Sequence, residues 1–457
     1  MIGIVMFFTA LFMLLIGFPV AFTFAAVSVF FGIAAGFIEI FNGAEEGALL
    51  LELIQEGWIE GISMFEFMPY RIFSIQQSTI LMAIPMFIFM GIILQKTGLA
   101  EKLLESMGFL FGEIRGGVAI STVLVGTLLA ASTGVVGASV VAMGVISLPV
   151  MLKYKYSTQL ACGTICASGT LGQIIPPSIV LIILGDVFQV PVGDLFASAV
   201  GPGLTLVAAY ILYILVLSYV NKDIAPAIPA DPSRGSKKKQ VIRALVDIIP
   251  SLTLIVLVLG SIFAGVATPT ESSAVGCIGA VALALMYKTF SVAMVKEAAL
   301  ESVKITSMVF GILIGATAFS MVFSYTGGEE VVEHIMLSLP GDEKIGFIIF
   351  TMLAVLILGF FIDFIEISYI IVPILIPVAD TLGINPVWFA ILIAMNLQTS
   401  FLTPPFGFSL FYLKGCAPAH VKTTQIYKGV LPFILIQVIV LCIVAFYPEF
   451  FGMSASV

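Results

Sequence analysis

SGTLGQIIPPS, residues 168–178, places two consecutive prolines inside a long apolar segment. LQTSFLTPPFG, residues 397–407, places a second pair inside another apolar segment. Proline has no backbone N–H and its ring clashes with the preceding helical turn, so each one in a helix interior costs about 3 kcal/mol. Both pairs are flanked by Gly, Ser, Thr or Gln, which predicts a short unwound stretch in each segment. Lipid cannot satisfy unwound backbone, so each stretch must be enclosed by protein or line a watery site.

The composition is that of a polytopic membrane protein. Of 457 residues, 60% are hydrophobic and 10% are charged, whereas soluble domains carry about 25% charged residues. We predict an all-α fold with about ten spans, at 3–16, 18–36, 79–95, 157–184, 198–220, 246–266, 271–288, 305–324, 387–413 and 429–447. The segments 157–184 and 387–413 are the two Pro-Pro broken helices. Two further apolar stretches, 117–151 and 345–379, are too long for one helix and too short for two crossings, which predicts re-entrant hairpins.

The two halves of the chain repeat the same features at a nearly constant offset. The offset is 229 positions for the first of the following matches and 228 for the other two (404 − 176 for the last): Thr97-Gly98 with Thr326-Gly327, Pro149 with Pro377, and Pro176 with Pro404. We therefore predict two repeats, 1–220 and 244–457. Between them lies the basic, Pro-bearing linker NKDIAPAIPADPSRGSKKKQVIR, residues 221–243.

The distribution of charge predicts the orientation in the membrane. Short cytoplasmic loops accumulate Lys and Arg, so we place the linker 221–243 in the cytoplasm. The span count then puts every Lys and Arg except Arg71 and Lys344 on that side, and acidic clusters within 39–66 and 329–343 on the other. Both termini are predicted to face the periplasm. Five crossings per half give the halves opposite orientation, and inverted repeats with paired broken helices are typical of secondary transporters.

Two other segments suggest local structure. Residues 37–69 are Glu-rich and partly amphipathic, which predicts a helix along the membrane interface or a docking face for another subunit. Glu271 follows Pro269 at a helix start, and we expect Thr270 to cap that helix.

The predicted hairpin tips carry residues suited to ion binding. The first reads ASTGVVGAS, residues 131–139, and the second GFFIDFIEIS, residues 359–368. Small residues let a tip approach an unwound helix closely. The freed carbonyls and hydroxyls are hard oxygen ligands that suit Na⁺, while half-helix N-termini attract anions. The alternative is that Gly, Ser and Thr serve only tight helix packing.

Asp363 and Glu366 are the acids inside the second predicted hairpin. A carboxylate within the membrane is costly and marks a functional hypothesis. We expect the pair to bind a cation, relay protons, line a substrate path or cap a half-helix. No phosphate-binding G-x-x-x-x-G-K-[ST] loop and no nucleophile–base set is present, which argues against ATP hydrolysis and against an enzyme, and no organic cofactor is expected.

These motifs together resemble a known transporter family. The resemblance is carried by Gly134 and Gly137 in the first tip, by residues 168–178, by ATPTE at 267–271 and by TPP at 403–405. At these residues the chain resembles the large membrane subunit of tripartite ATP-independent periplasmic (TRAP) transporters. Residues 165–173 and 396–407 are similar to the branch labelled for mannitol or chloroaromatic compounds.

The resemblance implies a mechanism and partners. It implies Na⁺-coupled import of a small organic anion such as a carboxylate across the bacterial inner membrane. A transport domain holding both hairpins and both broken helices would slide against a scaffold as an elevator. It also implies a small four-span membrane subunit and a periplasmic substrate-binding protein.

The family's sodium sites lie where the hairpin tips meet the broken helices. Carried over, they correspond to Ser132, Gly134, Gly172 and Pro176 for one site, and to Gly359, Thr399, Thr403 and Gly407 for the other. We assign the substrate to neighbouring polar or small residues: Ser168, Gly169, Thr170, Gln173, Asp363, Glu366 and Gln398. The chain departs from the family by carrying Ser139 where an acid is common and Glu366 where a small residue is usual.

Two other classes of function stay open at this point. One is a stand-alone proton- or sodium-coupled anion carrier of the related ion-transporter superfamily, with Asp363 and Glu366 carrying protons. The other is an intramembrane enzyme or a receptor-like subunit.

Overall fold

The computed structural model describes residues 2–44, 49–134, 136–228, 237–338 and 342–456, and over these ranges the chain folds into helices. It divides into two compact units, each drawn from both halves of the sequence. The first unit comprises Met1–Thr79, Lys304–Ala354 and Phe361–Ile384, and the second comprises Ile80–Val303, Val355–Phe360 and Asn385–Val457.

In the described part of the chain, the first unit contains nine helices or parts of helices, drawn from its three chain segments. They are α1 (Ile2–Ile16), α2 (Val20–Gly43), α3 (Leu50–Ser63), α4 (Met68–Gln77), the second part of α14 (Val292–Tyr325), α15 (Gly328–Leu337), most of α16 (Glu343–Leu358), the single turn α17 (Phe364–Glu366) and α18 (Val372–Thr381). A π-helical turn, Ile367–Ile371, joins α17 to α18.

The second unit contains the remaining helices. They are α5 (Ala83–Lys96), α6 (Leu99–Phe111), α7 (Gly117–Thr133), α8 (Val136–Lys153), α9 (Thr158–Thr170), α10 (Ile179–Val187), α11 (Val192–Val220), α12 (Lys237–Phe263), α13 (Pro269–Met286), the first part of α14, α19 (Pro386–Leu402), α20 (Phe408–Cys416) and α21 (Thr423–Phe446).

Eight helical segments in the described part of the chain are long and apolar enough to cross a membrane, or nine if the bent pair α5–α6 is one span. Six of them coincide with predicted single spans: α2, α11, α12, α13, α14 and α21. The other two, α8 and residues 364–381, are arms of the predicted hairpins. The four remaining predicted spans are the short helices α1 and α5 and the two broken helices. The all-α polytopic class is confirmed, and the re-entrant character of the hairpins stays a prediction.

Glycines bring α2 and α3 into close contact in the first unit. A Cβ on Gly36 would lie 2.6 Å from the Cα of Gly61, so any larger residue would separate the helices. The Tyr325 hydroxyl lies 3.0 Å from a Glu39 carboxylate oxygen and 2.9 Å from one of Glu60, and its hydrogen serves either. The helix α3, which lies within the segment predicted to follow the interface, therefore packs on α2, and α2 continues to Gly43 rather than ending near residue 36.

Two local predictions need correction. The helix α13 is capped by Thr268, not Thr270: the Glu271 N–H donates to the Thr268 hydroxyl and the Thr268 N–H donates to the Glu271 carboxylate at 2.8 Å. This is a reciprocal capping box, which needs the cap residue three positions before the acid. The linker is also shorter than predicted, because α12 already begins at Lys237. Residues 229–236 of that linker lie outside the described residues.

Candidate functional site

The first Pro-Pro segment breaks a helix as predicted. The helix α9 ends at Thr170, a 3-10 turn covers Leu171–Gln173, and α10 begins only at Ile179. Every residue from Leu160 to Gln173 is buried, so the break lies inside the protein.

A serine closes this break. The Ser178 hydroxyl donates to the Gln173 carbonyl oxygen at 2.6 Å and accepts from the Leu181 N–H at 3.4 Å. Ser178 therefore caps α10 and satisfies a carbonyl that lost its helical partner at the prolines, as buried backbone requires.

The second Pro-Pro segment breaks its helix in the same way. The helix α19 ends at Leu402 and α20 begins at Phe408. The Ser409 hydroxyl donates to the Phe401 carbonyl oxygen at 2.7 Å. Phe401 follows Gln173 by 228 positions (401 − 173), which is the offset of the prolines themselves. Each half thus frees the corresponding carbonyl and satisfies it with a downstream serine, and both Pro-Pro bonds are cis.

The first hairpin places its tip against the first break. The helices α7 and α8 meet at Gly134, whose φ of 61° is the left-handed conformation that glycine adopts without strain. Its N–H donates to the Ala130 carbonyl at 2.9 Å. A Cβ on Gly134 would lie 3.1 Å from the Ile179 side chain, so the tip abuts the start of α10.

Small residues allow the arm α7 to lie directly on α9. A Cβ on Gly172 would lie 2.7 Å from the Ala130 carbonyl oxygen, and one on Gly126 would lie 2.6 Å from the Ser168 hydroxyl. Close packing, the alternative role considered for these residues, is therefore part of what they do. It also brings a carbonyl of the hairpin to the helix break.

The polar residues assigned to the substrate near this break differ in whether their side-chain atoms already have hydrogen-bond partners. The Ser168 hydroxyl donates to the Ile165 carbonyl and the Thr170 hydroxyl to the Ala167 carbonyl. Gln173 is fully buried, and neither amide atom has a hydrogen-bond partner among the described residues. Its side chain is the strongest polar candidate for a ligand contact at this break.

The second break presents two threonine hydroxyls in one line. The Thr399 hydroxyl donates to the Met395 carbonyl at 2.9 Å, and the Thr403 hydroxyl donates to the Thr399 carbonyl at 2.7 Å. Since both hydrogens point to the helix backbone, the oxygen lone pairs are free for a cation. Gly407 closes the unwound turn by donating its N–H to the Thr403 carbonyl at 3.0 Å.

Gly359, at the end of α16, packs on this broken helix. A Cβ there would collide with the Ser400 hydroxyl, next to Thr399. The structure thus brings one predicted sodium set, Gly359, Thr399, Thr403 and Gly407, to the second break. Of the other set, it brings Gly134, Gly172 and Pro176 to the first break, while the Ser132 side chain lies outside the described residues.

Gln398 is fully buried, and neither of its amide atoms has a hydrogen-bond partner among the described residues. The Tyr210 hydroxyl on α11 and the Gln437 amide on α21 are also buried without a described partner. Sequence reasoning missed Tyr210 and Gln437 as buried polar groups. The available signal was a single amide within the apolar run of α21.

Asp363 and Glu366 belong to the first unit, whereas the broken helices belong to the second. The Asp363 carboxylate caps α17 by accepting from the Phe364 N–H at 2.7 Å, which is one of the roles expected for it. Glu366 is 4% exposed, and its Oε2 has no hydrogen-bond partner among the described residues. It directly precedes the π-helical turn, a feature that often marks functional sites.

The second hairpin is therefore grouped differently from what the resemblance implies. Only residues 355–360 fall in the unit that holds the first hairpin and both broken helices. Residues 361–384 fall in the first unit because α18 packs on α15.

Solved structures with a similar fold are membrane transporters. The crystal structure of the Alcanivorax borkumensis YdaH transporter matches with a TM-score of 0.57 and 14% identity, over 84% of this chain and 88% of that one. The structure of Neisseria gonorrhoeae MtrF, from a class of antimetabolite efflux pumps, matches with a TM-score of 0.56 and 14% identity, over 91% and 94%. The fold is that of a multi-pass membrane transporter.

The chain belongs to the family described as "Tripartite ATP-independent periplasmic transporter, DctM component", whose profile matches residues 6–450. It is 30% identical to the C4-dicarboxylate TRAP transporter large permease of Pseudomonas aeruginosa over 88% of this chain and 91% of the relative. It is 30% identical to the sialic acid TRAP large permease of Vibrio cholerae over 81% and 84%. It is also 27% identical to the ectoine TRAP large permease of Halomonas elongata over 96% and 95%.

Family membership identifies the class of activity. The chain is a large permease subunit of a secondary transporter that depends on a substrate-binding protein, in the inner membrane, and it is not an enzyme. Its partners are a small membrane subunit and a periplasmic binding protein. The resemblance to the mannitol or chloroaromatic branch stays a prediction.

Proposed function

We propose that this permease imports a small organic anion, such as a carboxylate, coupled to Na⁺ and by an elevator movement. The observation that carries the proposal is the pair of helix breaks, each with a freed carbonyl, a closing serine and an adjacent hairpin residue. The prolines and the freed carbonyls of the two breaks lie 228 positions apart. Two matching sites of neutral oxygen atoms suit a hard monovalent cation.

The ligands at the second break are the better defined. The hydroxyl oxygens of Thr399 and Thr403 and the backbone around Gly407 supply oxygen atoms without a formal charge. Such a set binds Na⁺ weakly enough to release it, which a coupling ion requires. At the first break, Gln173 supplies an amide for the substrate.

The substrate class is supported by the relatives. The permeases named for C4-dicarboxylate and sialic acid serve acids, and one related protein is named for isethionate. The half-helix α10 begins beside the first break, and its N-terminus carries partial positive charge that favours an anion.

The experiment is uptake into proteoliposomes that contain the permease, its small membrane subunit and its binding protein. We expect uptake only with an inward Na⁺ gradient and with the binding protein present. Thr399→Val, which removes the hydroxyl, should raise the Na⁺ concentration for half-maximal uptake, and Thr399→Ser, which keeps it, should not. Uptake driven equally well by K⁺ would overturn the assignment of the ion.

A second candidate is coupling to protons through Glu366. It is favoured by one observation, the buried carboxylate whose Oε2 lacks a described partner. Uptake that follows a pH gradient without Na⁺, and that is lost in Glu366→Gln, would select this candidate.

A further inference from the structure

The two helix breaks differ in how far the rest of the protein covers them. At the first break, Pro176 and Pro177 are both buried. The helix α11 packs closely on this break, since a Cβ on Gly203 would lie 2.9 Å from the Ile175 side chain. At the second break Pro405 is exposed, although its helix ends and restarts in the same way.

A hydrogen bond from a neighbouring helix holds the second break. The Tyr427 hydroxyl, in the second turn of α21, donates to the Pro405 carbonyl oxygen at 2.9 Å. This carbonyl lies in the middle of the unwound turn that the Gly407 N–H closes on the Thr403 carbonyl. The next residue, Phe406, is 45% exposed. A side chain of α21 therefore anchors the turn at a place that packing leaves exposed.

The first half of the chain carries an alanine where the second half carries this tyrosine. In the repeat, α11 follows the first broken helix as α21 follows the second, and Ala199 corresponds to Tyr427 (427 − 228). Ala199 is fully buried. Leu431, which corresponds to Gly203, is 56% exposed. The first break is thus held by close helix packing, and at the second break a hydroxyl takes over this role.

The base from which Tyr427 reaches the turn is fixed. Its neighbour Ile426 is fully buried. A Cβ on Gly429 would collide with the Gln159 carbonyl oxygen, so α21 lies directly on α9 at this point. Because the backbone of α21 cannot move closer to α9 here, the Tyr427 hydroxyl defines one position for the Pro405 carbonyl.

We propose that Tyr427 is a positioning residue for the second break. Its hydroxyl ties the Pro405 carbonyl to α21, and it thereby holds the Thr403 oxygen and the turn at Gly407 in the arrangement that binds the ion. Tyr427 acts through the backbone of the turn and touches neither ion nor substrate. Its link to Na⁺ rests on the proposed function, whereas its anchoring of the turn does not.

A variant that removes only the hydroxyl tests the effect on transport. In proteoliposomes with the permease, its small membrane subunit and its binding protein, Tyr427→Phe should raise the Na⁺ concentration for half-maximal uptake about two- to tenfold, the effect of one lost hydrogen bond. The maximal rate should change by less than about twofold, because saturating Na⁺ restores the arrangement of the turn. Tyr447→Phe is the matched control, since Tyr447 lies at the other end of α21 and is 69% exposed. Equal shifts in the two variants would overturn the proposal.

Stabilisation by Na⁺ separates positioning from a general loss of stability. A ligand that binds only the folded protein raises its unfolding midpoint. The Na⁺ concentration that gives half of this rise should be about two- to tenfold higher in Tyr427→Phe than in the wild type. A midpoint that is lower at every Na⁺ concentration, with the half-effect concentration unchanged, would give Tyr427 a structural role only and would overturn the proposal.

Hydrogen exchange without Na⁺ distinguishes this proposal from the proposed function. The backbone N–H groups of Phe406 and Gly407 should exchange about two- to tenfold faster in Tyr427→Phe, because the turn loses its anchor. The first break, residues 171–178, should exchange at the wild-type rate. Unchanged exchange at the second break would overturn the positioning role even if uptake needs Na⁺. Faster exchange there, in a transporter whose uptake needs no Na⁺, would refute the proposed coupling and leave the anchoring of the turn standing.

Discussion

Gly359 lies so close to Ser400 that a Cβ on the glycine would collide with the serine hydroxyl. The first half of the chain contains the corresponding pair, Ala130 and Gly172, at offsets of 229 (359 − 130) and 228 (400 − 172) positions. There the glycine lies on the broken helix and the larger residue on the hairpin. Each half therefore has a glycine at this contact. The glycine lies on the broken helix in the first half and on the hairpin arm in the second.

This relationship predicts the cost of adding a methyl group. Gly359→Ala and Gly172→Ala should each destabilise the protein by about 1–3 kcal/mol, the range for overpacking a close contact, and should reduce uptake. Gly260→Ala is the control, because Gly260 lies in α12 and a Cβ added there would meet no other atom within 4 Å. Thermal unfolding in detergent measures the difference. A midpoint for Gly359→Ala equal to that of Gly260→Ala would contradict the close contact.

Removing the serine hydroxyls that bond to the freed carbonyls at the two helix breaks should destabilise the protein. Ser178→Ala and Ser409→Ala each leave a freed carbonyl without its hydroxyl donor, at a cost of about 1–3 kcal/mol. Ser63→Ala removes a similar hydroxyl-to-carbonyl bond on an exposed helix and should cost little. The measurement is the unfolding midpoint of the three variants. Similar decreases in the unfolding midpoint of all three variants would show that the hydroxyls at the buried breaks stabilise the protein no more than an exposed one.

The buried Glu366 carboxylate should lower the stability of the protein while supporting transport. Keeping a carboxylate at 4% exposure with one oxygen unpartnered is costly, so the neutral amide in Glu366→Gln should keep or raise the unfolding midpoint. If the carboxylate carries a cation or proton, the same change should lower uptake at least about tenfold, the effect expected for an intramembrane functional acid. Glu343→Gln, an exposed position at the start of α16, is the control. Unchanged uptake with a lower midpoint would instead assign Glu366 a structural role.

The orientation in the membrane is also testable. We predict that residues 221–243 face the cytoplasm and that both termini face the periplasm, from the distribution of Lys and Arg. A fluorescent protein that folds only in the cytoplasm should fluoresce when inserted at residues 229–236 and stay dark when fused after Val457. The reverse pattern would invert the assignment of every loop.

The amino-acid sequence alone predicted the helical membrane class, both helix breaks and the repeat that relates them. These features depend on local sequence alone. Proline lacks a backbone N–H in any tertiary context, and an apolar run of sufficient length forms a membrane helix. The capping residue of α13 and the end of α2 were misjudged by a few residues, because helix ends depend on side chains several positions apart.

Only the tertiary structure decided which groups meet. The donor to the Phe401 carbonyl is eight positions away, and the donor to the Pro405 carbonyl lies on another helix. It also assigned residues 361–384 to a different compact unit from the broken helices. A sequence states which polar groups are freed, but the packing of distant helices determines which donors and acceptors reach them.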